Sequence, residues 1–142
     1  MRRTLTALSF AASLLVACRG EASDDPKSLY RLEASADPAT IAAGEKGTFR
    51  ITVRPTVKGA HVKPETPFRG KLAATGPLVL QKSELSYADH VRVEKDGPVF
   101  EIPYEAKAAG SGALQADLVF FVCTDEACLR TTEQVNVPVQ VK

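Results

Sequence analysis

The segment from residue 114 to residue 142 reads LQADLVFFVCTDEACLRTTEQVNVPVQVK, and it decides the fold. Its first half contains the apolar run Leu118–Val122, which is typical of a central strand covered on both faces. In its second half polar residues or proline alternate with Val135, Val137, Val139 and Val141, as in a strand with one buried face. The four residues 124–127 between two cysteines predict a hairpin loop joining these strands.

The same period of two recurs earlier in the chain. It is clear over residues 49–54 and 100–105, and weaker strands are predicted at 29–35, 60–63, 71–74 and 78–81. Single helical turns are predicted at 37–40 and 83–89. Together these segments predict an all-β fold, an immunoglobulin-like antiparallel β-sandwich of about seven to nine strands. Pro103 and Pro138 fall on strands, so each is expected at a sheet edge or a bulge.

The N-terminus has the features of an export signal. Arg2 and Arg3 precede the apolar stretch Leu5–Val16, which is shorter than the roughly 20 residues of a membrane-spanning helix. The stretch ends in Leu15-Val16-Ala17-Cys18, which resembles the lipobox of bacterial lipoprotein precursors. That resemblance implies cleavage after residue 17 and a lipid on Cys18, which would anchor the protein stably through two or more acyl chains.

The remaining chain divides into a tether and one domain. Residues 18–28 are polar and contain Gly and Pro, which predicts a flexible tether after the lipidated cysteine. Residues 29–142 have the length of a single domain. We expect this domain on the periplasmic side of a bacterial membrane, bound to it only through lipid. In enterobacterial lipoproteins an Asp after the lipidated cysteine favours the inner membrane, so Arg19 favours the outer one.

Charge and composition exclude some classes of partner. Removing Arg2 and Arg3 from the 18 basic residues leaves 16, against 17 acidic residues. A nearly neutral domain has no basic stripe for nucleic acid, so we predict no nucleic-acid partner. The sequence also contains no phosphate-binding or dinucleotide-binding loop, and we predict no cofactor. His61 and His90, with Asp89, are the candidates for a metal site, but we favour histidines at the surface or at strand ends.

If Cys18 carries lipid, Cys123 and Cys128 remain as a pair, and in an oxidising compartment they are expected to form a disulfide. Closing a loop of six residues stabilises a protein by only about 2 kcal/mol. A local bond near the surface is also more reducible than a buried one. Two interpretations stay open: a redox-active pair that exchanges with other thiol proteins, and a structural bridge in a non-enzymatic binding or assembly module.

The motif FFVCTDEACL at 120–129, followed by the strand at 135–139, resembles the periplasmic N-terminal domain of the thiol:disulfide interchange protein DsbD. The segment 61–68, HVKPETPF, is similar to that family as well. The resemblance covers residues 29–142 and implies an immunoglobulin-like fold with Cys123 and Cys128 as the redox pair. It implies that Cys128 forms the mixed disulfide and Cys123 resolves it. The implied partners are thioredoxin-like periplasmic proteins and a membrane electron donor.

Three further residues are candidates for tuning or covering the pair. The negative charges of Asp125 and Glu126 disfavour a thiolate on the neighbouring cysteines, although acidic residues are also common in solvated turns. Arg130 partly offsets that charge. Phe68, in a Pro-flanked loop, is a candidate cap over the cysteines, and core packing is the favoured alternative for its ring.

Overall fold

The computed structural model describes residues 25–142, which form two packed β-sheets. The strands in chain order are β1 (Tyr30–Asp37), β2 (Thr40–Ile41), β3 (Lys46–Pro55), β4 (Arg69–Ala74), β5 (Leu78–Leu80), β6 (Glu84–Ser86), β7 (Arg92–Glu94), β8 (Gly97–Ala106), β9 (Gly110–Cys123) and β10 (Cys128–Val141). Short 3-10 helices span Pro26–Ser28 and Tyr87–Asp89.

One sheet has the strand order β1-β3-β8-β5, with β7 also paired to β8, and the other has the order β2-β10-β9-β4-β6. Every pairing is antiparallel except that of β2 with β10. The chain is therefore an immunoglobulin-like β-sandwich, and the predicted fold class is confirmed. It has ten strands rather than seven to nine because β2, β6 and β7, of two or three residues each, are too short to show a period.

The core lies between the two sheets and is built by inward-facing residues of the long strands. Phe49 on β3, Phe100 and Tyr104 on β8, and Phe120 on β9 are completely buried. A hydrogen bond also crosses between the sheets, since the Tyr30 hydroxyl on β1 lies 2.9 Å from Thr131 Oγ1 on β10. The hairpin that carries the cysteines is thus fixed to a closed core.

Three local predictions need correction. Residues 60–63 form only an isolated bridge at His61, because the segment pairs with the end of β9 over one residue. No helical turn forms at 37–40, where β1 ends at Asp37, a cis Asp37–Pro38 peptide follows, and β2 begins at Thr40. The predicted turn at 83–89 is strand β6 followed by a 3-10 helix, so its second half is right.

The two strand prolines occupy open stretches of strand edge, as predicted. On one edge β8 pairs with β7 at Gly97–Val99 and with β5 at Tyr104–Ala106, and Pro103 lies in the gap between them. Within residues 25–142, β10 pairs with β2 only at the last residues of β10, which follow Pro138. A proline, which has no N–H to donate, costs no ladder hydrogen bond at such positions.

The end of the predicted tether is ordered against the sandwich. Asp25 caps the 3-10 helix Pro26–Ser28 by accepting a hydrogen bond from the Lys27 N–H at 3.0 Å. The Lys27 ammonium lies 3.7 Å from a carboxylate oxygen of Glu133 on β10. The last residues of the predicted tether thus lie against the sandwich, and the flexibility of the tether stays a prediction. The predicted signal peptide, Cys18 and the first part of the tether lie outside the described residues. Over residues 25–142, no helix has the length and apolar character to cross a bilayer.

Candidate functional site

The candidate site is the loop end of the β9–β10 hairpin. The two strands pair without interruption from Cys123 opposite Cys128 to Gly110 opposite Val141. Because side chains alternate between faces, the core side of β9 carries Phe120 and Val122, and the cysteines lie on the outer side with Phe121 and Arg130. Phe121 is only half-buried. The prediction that β9 is covered on both faces is therefore wrong for the outer face.

Cys123 and Cys128 form a disulfide, with their Cα atoms 4.0 Å apart. The bond joins two residues that the strand register already places opposite each other, as the hairpin prediction requires. The loop between them is closed by the Thr124 N–H, which donates to the Ala127 carbonyl at 2.8 Å. The Thr124 hydroxyl oxygen also accepts from the Ala127 N–H at 3.4 Å. The pair is thus presented at the tip of a regular, hydrogen-bonded turn.

The two cysteines differ strongly in exposure. Cys123 has 0% of its surface accessible, whereas Cys128 is exposed. The difference arises because a second segment pairs with Cys123 on the side away from β10. The His61 N–H donates to the Cys123 carbonyl at 2.9 Å, and the Cys123 N–H donates to the His61 carbonyl at 2.8 Å. The disulfide therefore has one enclosed end and one open end.

His61 was not predicted to belong to the site. Its Nδ1 lies 2.8 Å from the Gly59 carbonyl, which fixes the ring beside the hairpin. Its Nε2 is enclosed and has no hydrogen-bond partner within residues 25–142. The contact with Cys123 is made by the main chain, so the residue type at position 61 carried no signal for it.

The acidic loop residues lie where the sequence placed them. Asp125 and Glu126 are exposed at the hairpin tip, and a Cβ built on Gly59 would lie 3.8 Å from Asp125 Oδ2. The two carboxylates are therefore neighbours of the cysteines in sequence, and both are solvated. Water screens such charges, so their effect on the disulfide is weaker than it would be in a buried site.

Phe68 lies in the core. It is 4% exposed, and its ring centroid lies 5.3 Å from that of Phe120 and 4.9 Å from that of Phe100. These contacts are made on the inner side of β9, whereas the disulfide lies on the outer side. The structure agrees with core packing, the alternative that the sequence favoured over a cap.

The second histidine lies elsewhere. His90 follows the 3-10 helix Tyr87–Asp89, and its Nδ1 is 2.6 Å from the Tyr87 carbonyl. Between residues 25 and 142, the structure groups no three side chains of His, Cys, Asp or Glu in a way that could hold a metal ion.

Comparison with known proteins adds little to this description. No protein-family model matches the chain, and no curated protein matches it. Among solved structures, the chain is similar to the native conformation of E. coli alpha-2-macroglobulin, with a TM-score of 0.48 and 15% identity. That match covers 80% of this chain and 6% of the other. The resemblance to the DsbD N-terminal domain stays a prediction.

Proposed function

We propose that this protein is a lipid-anchored thiol–disulfide interchange domain on the periplasmic side of a bacterial membrane, with Cys18 as the lipid-bearing residue. The exchange uses the Cys123–Cys128 pair, and the partners are thioredoxin-like proteins. The observation that carries the proposal is the unequal exposure of one disulfide, with Cys128 open to solvent and Cys123 enclosed. An exchange site needs one sulfur that a partner can reach.

The unequal exposure supports different chemical roles for the two cysteines. A partner thiolate attacks Cys128 Sγ, the bond between the two cysteines breaks, and Cys123 leaves as a thiolate that takes up a proton. A second partner thiol, as its thiolate, then attacks the partner's own sulfur in the mixed disulfide and releases Cys128. Two electrons thereby pass from the partner's dithiol, which becomes a disulfide, to this pair. The resemblance to the DsbD domain implies the same attacked sulfur, Cys128, and in the reverse direction it implies that Cys123 resolves the mixed disulfide.

The small contribution of the disulfide to stability supports an exchange role over a structural one. The strands already place the cysteines opposite each other, and the core between the sheets is formed by residues elsewhere. Closing so short a loop contributes about 2 kcal/mol in the chain-entropy account. Such a bond can be broken and re-formed without threatening the fold.

A structural bridge in a binding or assembly module is the second candidate. It is favoured by the pairing of Cys123 with His61, because a bond at this residue also holds the junction between the hairpin and the segment at 56–68. The two candidates differ in the reduction potential of the pair. We expect a value between about −120 and −270 mV, the range of exchange proteins, measured by equilibration with glutathione or dithiothreitol buffers. A value below about −300 mV, typical of inert bridges, rules out exchange.

Trapping tests the assigned roles. In Cys123→Ser the exposed Cys128 has no resolving neighbour, so a mixed disulfide with a thioredoxin-fold partner should accumulate and be identified by mass spectrometry. Cys128→Ser is the matched control, and its enclosed Cys123 should trap little or nothing. Equal trapping by the two variants would contradict the assignment.

The anchor has its own test. The wild-type chain should fractionate with membranes and carry the mass of a diacylglyceryl group at its mature N-terminus, and Cys18→Ala should carry none. A wild-type protein without lipid would remove this part of the proposal.

A further inference from the structure

The chain enters the sandwich at the same end as the disulfide. Asp25, the first described residue, lines a surface cavity of about 190 Å³ whose other lining residues are Ser28, Leu29, Thr124, Glu126, Ala127 and Leu129. We call this end, with the disulfide and the loop at 124–127, the hairpin pole. The ion pair of Lys27 with Glu133 fixes the entering segment to β10 close to this pole.

The opposite end of the molecule lies far from the disulfide. Cys123 and Gly110 are the two ends of β9, and a strand of this length spans roughly 40 Å. Val141, next to the C-terminus, pairs with Gly110. We call this end, with the loop at 107–109, the far pole. The two termini of the described chain are therefore at opposite poles.

From this geometry we infer that the anchored domain stands with its hairpin pole toward the bilayer, and that its exchange partner presents its reactive cysteines at the membrane surface. The inference rests on the proposed lipid at Cys18. Seven peptide steps separate Cys18 from Asp25, and a chain of that length reaches at most about 25 Å. The hairpin pole is held within that distance of the membrane, and the far pole lies roughly 40 Å farther from the membrane than the hairpin pole.

The distance between the hairpin pole and the bilayer limits how a partner can approach the disulfide. A soluble domain of about 100 residues has a radius of gyration near 13 Å, which corresponds to a diameter of about 35 Å. Such a domain does not fit between the hairpin pole and the bilayer, so a thioredoxin-like partner reaches Cys128 from the side of the hairpin, close to the membrane surface.

Fluorescence quenching by lipid measures the orientation directly. A fluorescent non-natural amino acid replaces Glu126 at the hairpin pole or, as the matched control, Ala109 at the far pole. Both positions are exposed, and both variants keep the disulfide. The mature lipidated chain is bound to phosphatidylcholine vesicles with nitroxide-labelled headgroups. We expect at least twofold stronger quenching at 126 than at 109, and equal or reversed quenching overturns the inference.

A longer tether tests whether the short chain between Cys18 and Asp25 sets the orientation. Thirty Gly and Ser residues inserted after Ala22 should bring the quenching at 126 close to that at 109, while the rate of reduction by soluble dithiothreitol stays unchanged. Quenching at 126 that ignores tether length overturns the inference. No quenching at either position, with the chain in the supernatant, removes the lipid anchor and the orientation with it. A reduction potential below the exchange range removes the redox role alone and leaves the orientation standing.

Discussion

Phe68 illustrates at the scale of one residue how a core contact and a site contact can be separated. Its ring lies against Phe100 and Phe120 inside the sandwich. We expect Phe68→Leu to lower the free energy of unfolding by about 1 to 1.5 kcal/mol through imperfect repacking. The rate at which dithiothreitol reduces the folded protein should not change. Denaturant unfolding and a thiol-release assay measure the two quantities, and a faster reduction at unchanged stability would instead assign Phe68 to a cap.

The roles of individual residues could be predicted only where they follow from local sequence. The pairing of Cys123 with Cys128 depends on a four-residue loop, and the structure contains that bond. The exposure of each cysteine could not be predicted, because it depends on His61, which is distant in the sequence and pairs through its main chain. Main-chain pairing over a single residue leaves no periodic pattern of side chains.

The hairpin formed by β9 and β10 should remain folded when its disulfide is reduced. Its strands pair along their whole length, and both belong to the second sheet. We expect reduction to lower the free energy of unfolding by about 2 kcal/mol, the value for a closed loop of six residues. Denaturant unfolding with and without dithiothreitol measures this difference. A loss above about 4 kcal/mol would mean that the bond is a structural staple.

At the scale of elements, the long strands were predictable, and of the short ones only β5 was predicted. β3, β8, β9 and β10 have ten or more residues each, long enough for an alternating pattern to appear. β2 and β7 exist because longer neighbours offer them a partner, so they are tertiary effects. The turn expected at 37–40 did not form for the same reason, since β2 is held by the end of β10.

The two sheets are joined across the molecule by a hydrogen bond as well as by the core. The Tyr30 hydroxyl lies 2.9 Å from Thr131 Oγ1 and donates to Glu133 Oε1 at 2.5 Å. Burial and the Glu133 carboxylate raise the pKa of Tyr30, so the hydroxyl keeps its proton over the physiological range. We expect Tyr30→Phe to lower the free energy of unfolding by about 1 to 3 kcal/mol.

The matched control is Tyr87→Phe at a half-buried site outside both sheets, and denaturant unfolding compares the two variants. An equal loss from both would mean that the inter-sheet hydrogen bond contributes nothing specific. The Tyr30 variant should also unfold in a single transition, because the shared aromatic core still couples the sheets.

The continuous ladder between β9 and β10 has a consequence for the kinetics of the sulfur pair. Because the strands keep the residues at 123 and 128 opposite each other, the Cys123 thiolate attacks a mixed disulfide at Cys128 with a high effective molarity and releases the joined thiol. A small thiol such as glutathione, once joined to Cys128, is expelled by Cys123 before it can persist. In the exchange proposed above, the pair therefore acts as a two-electron unit that clears its own adducts, and the domain offers a partner almost the same shape before and after each transfer.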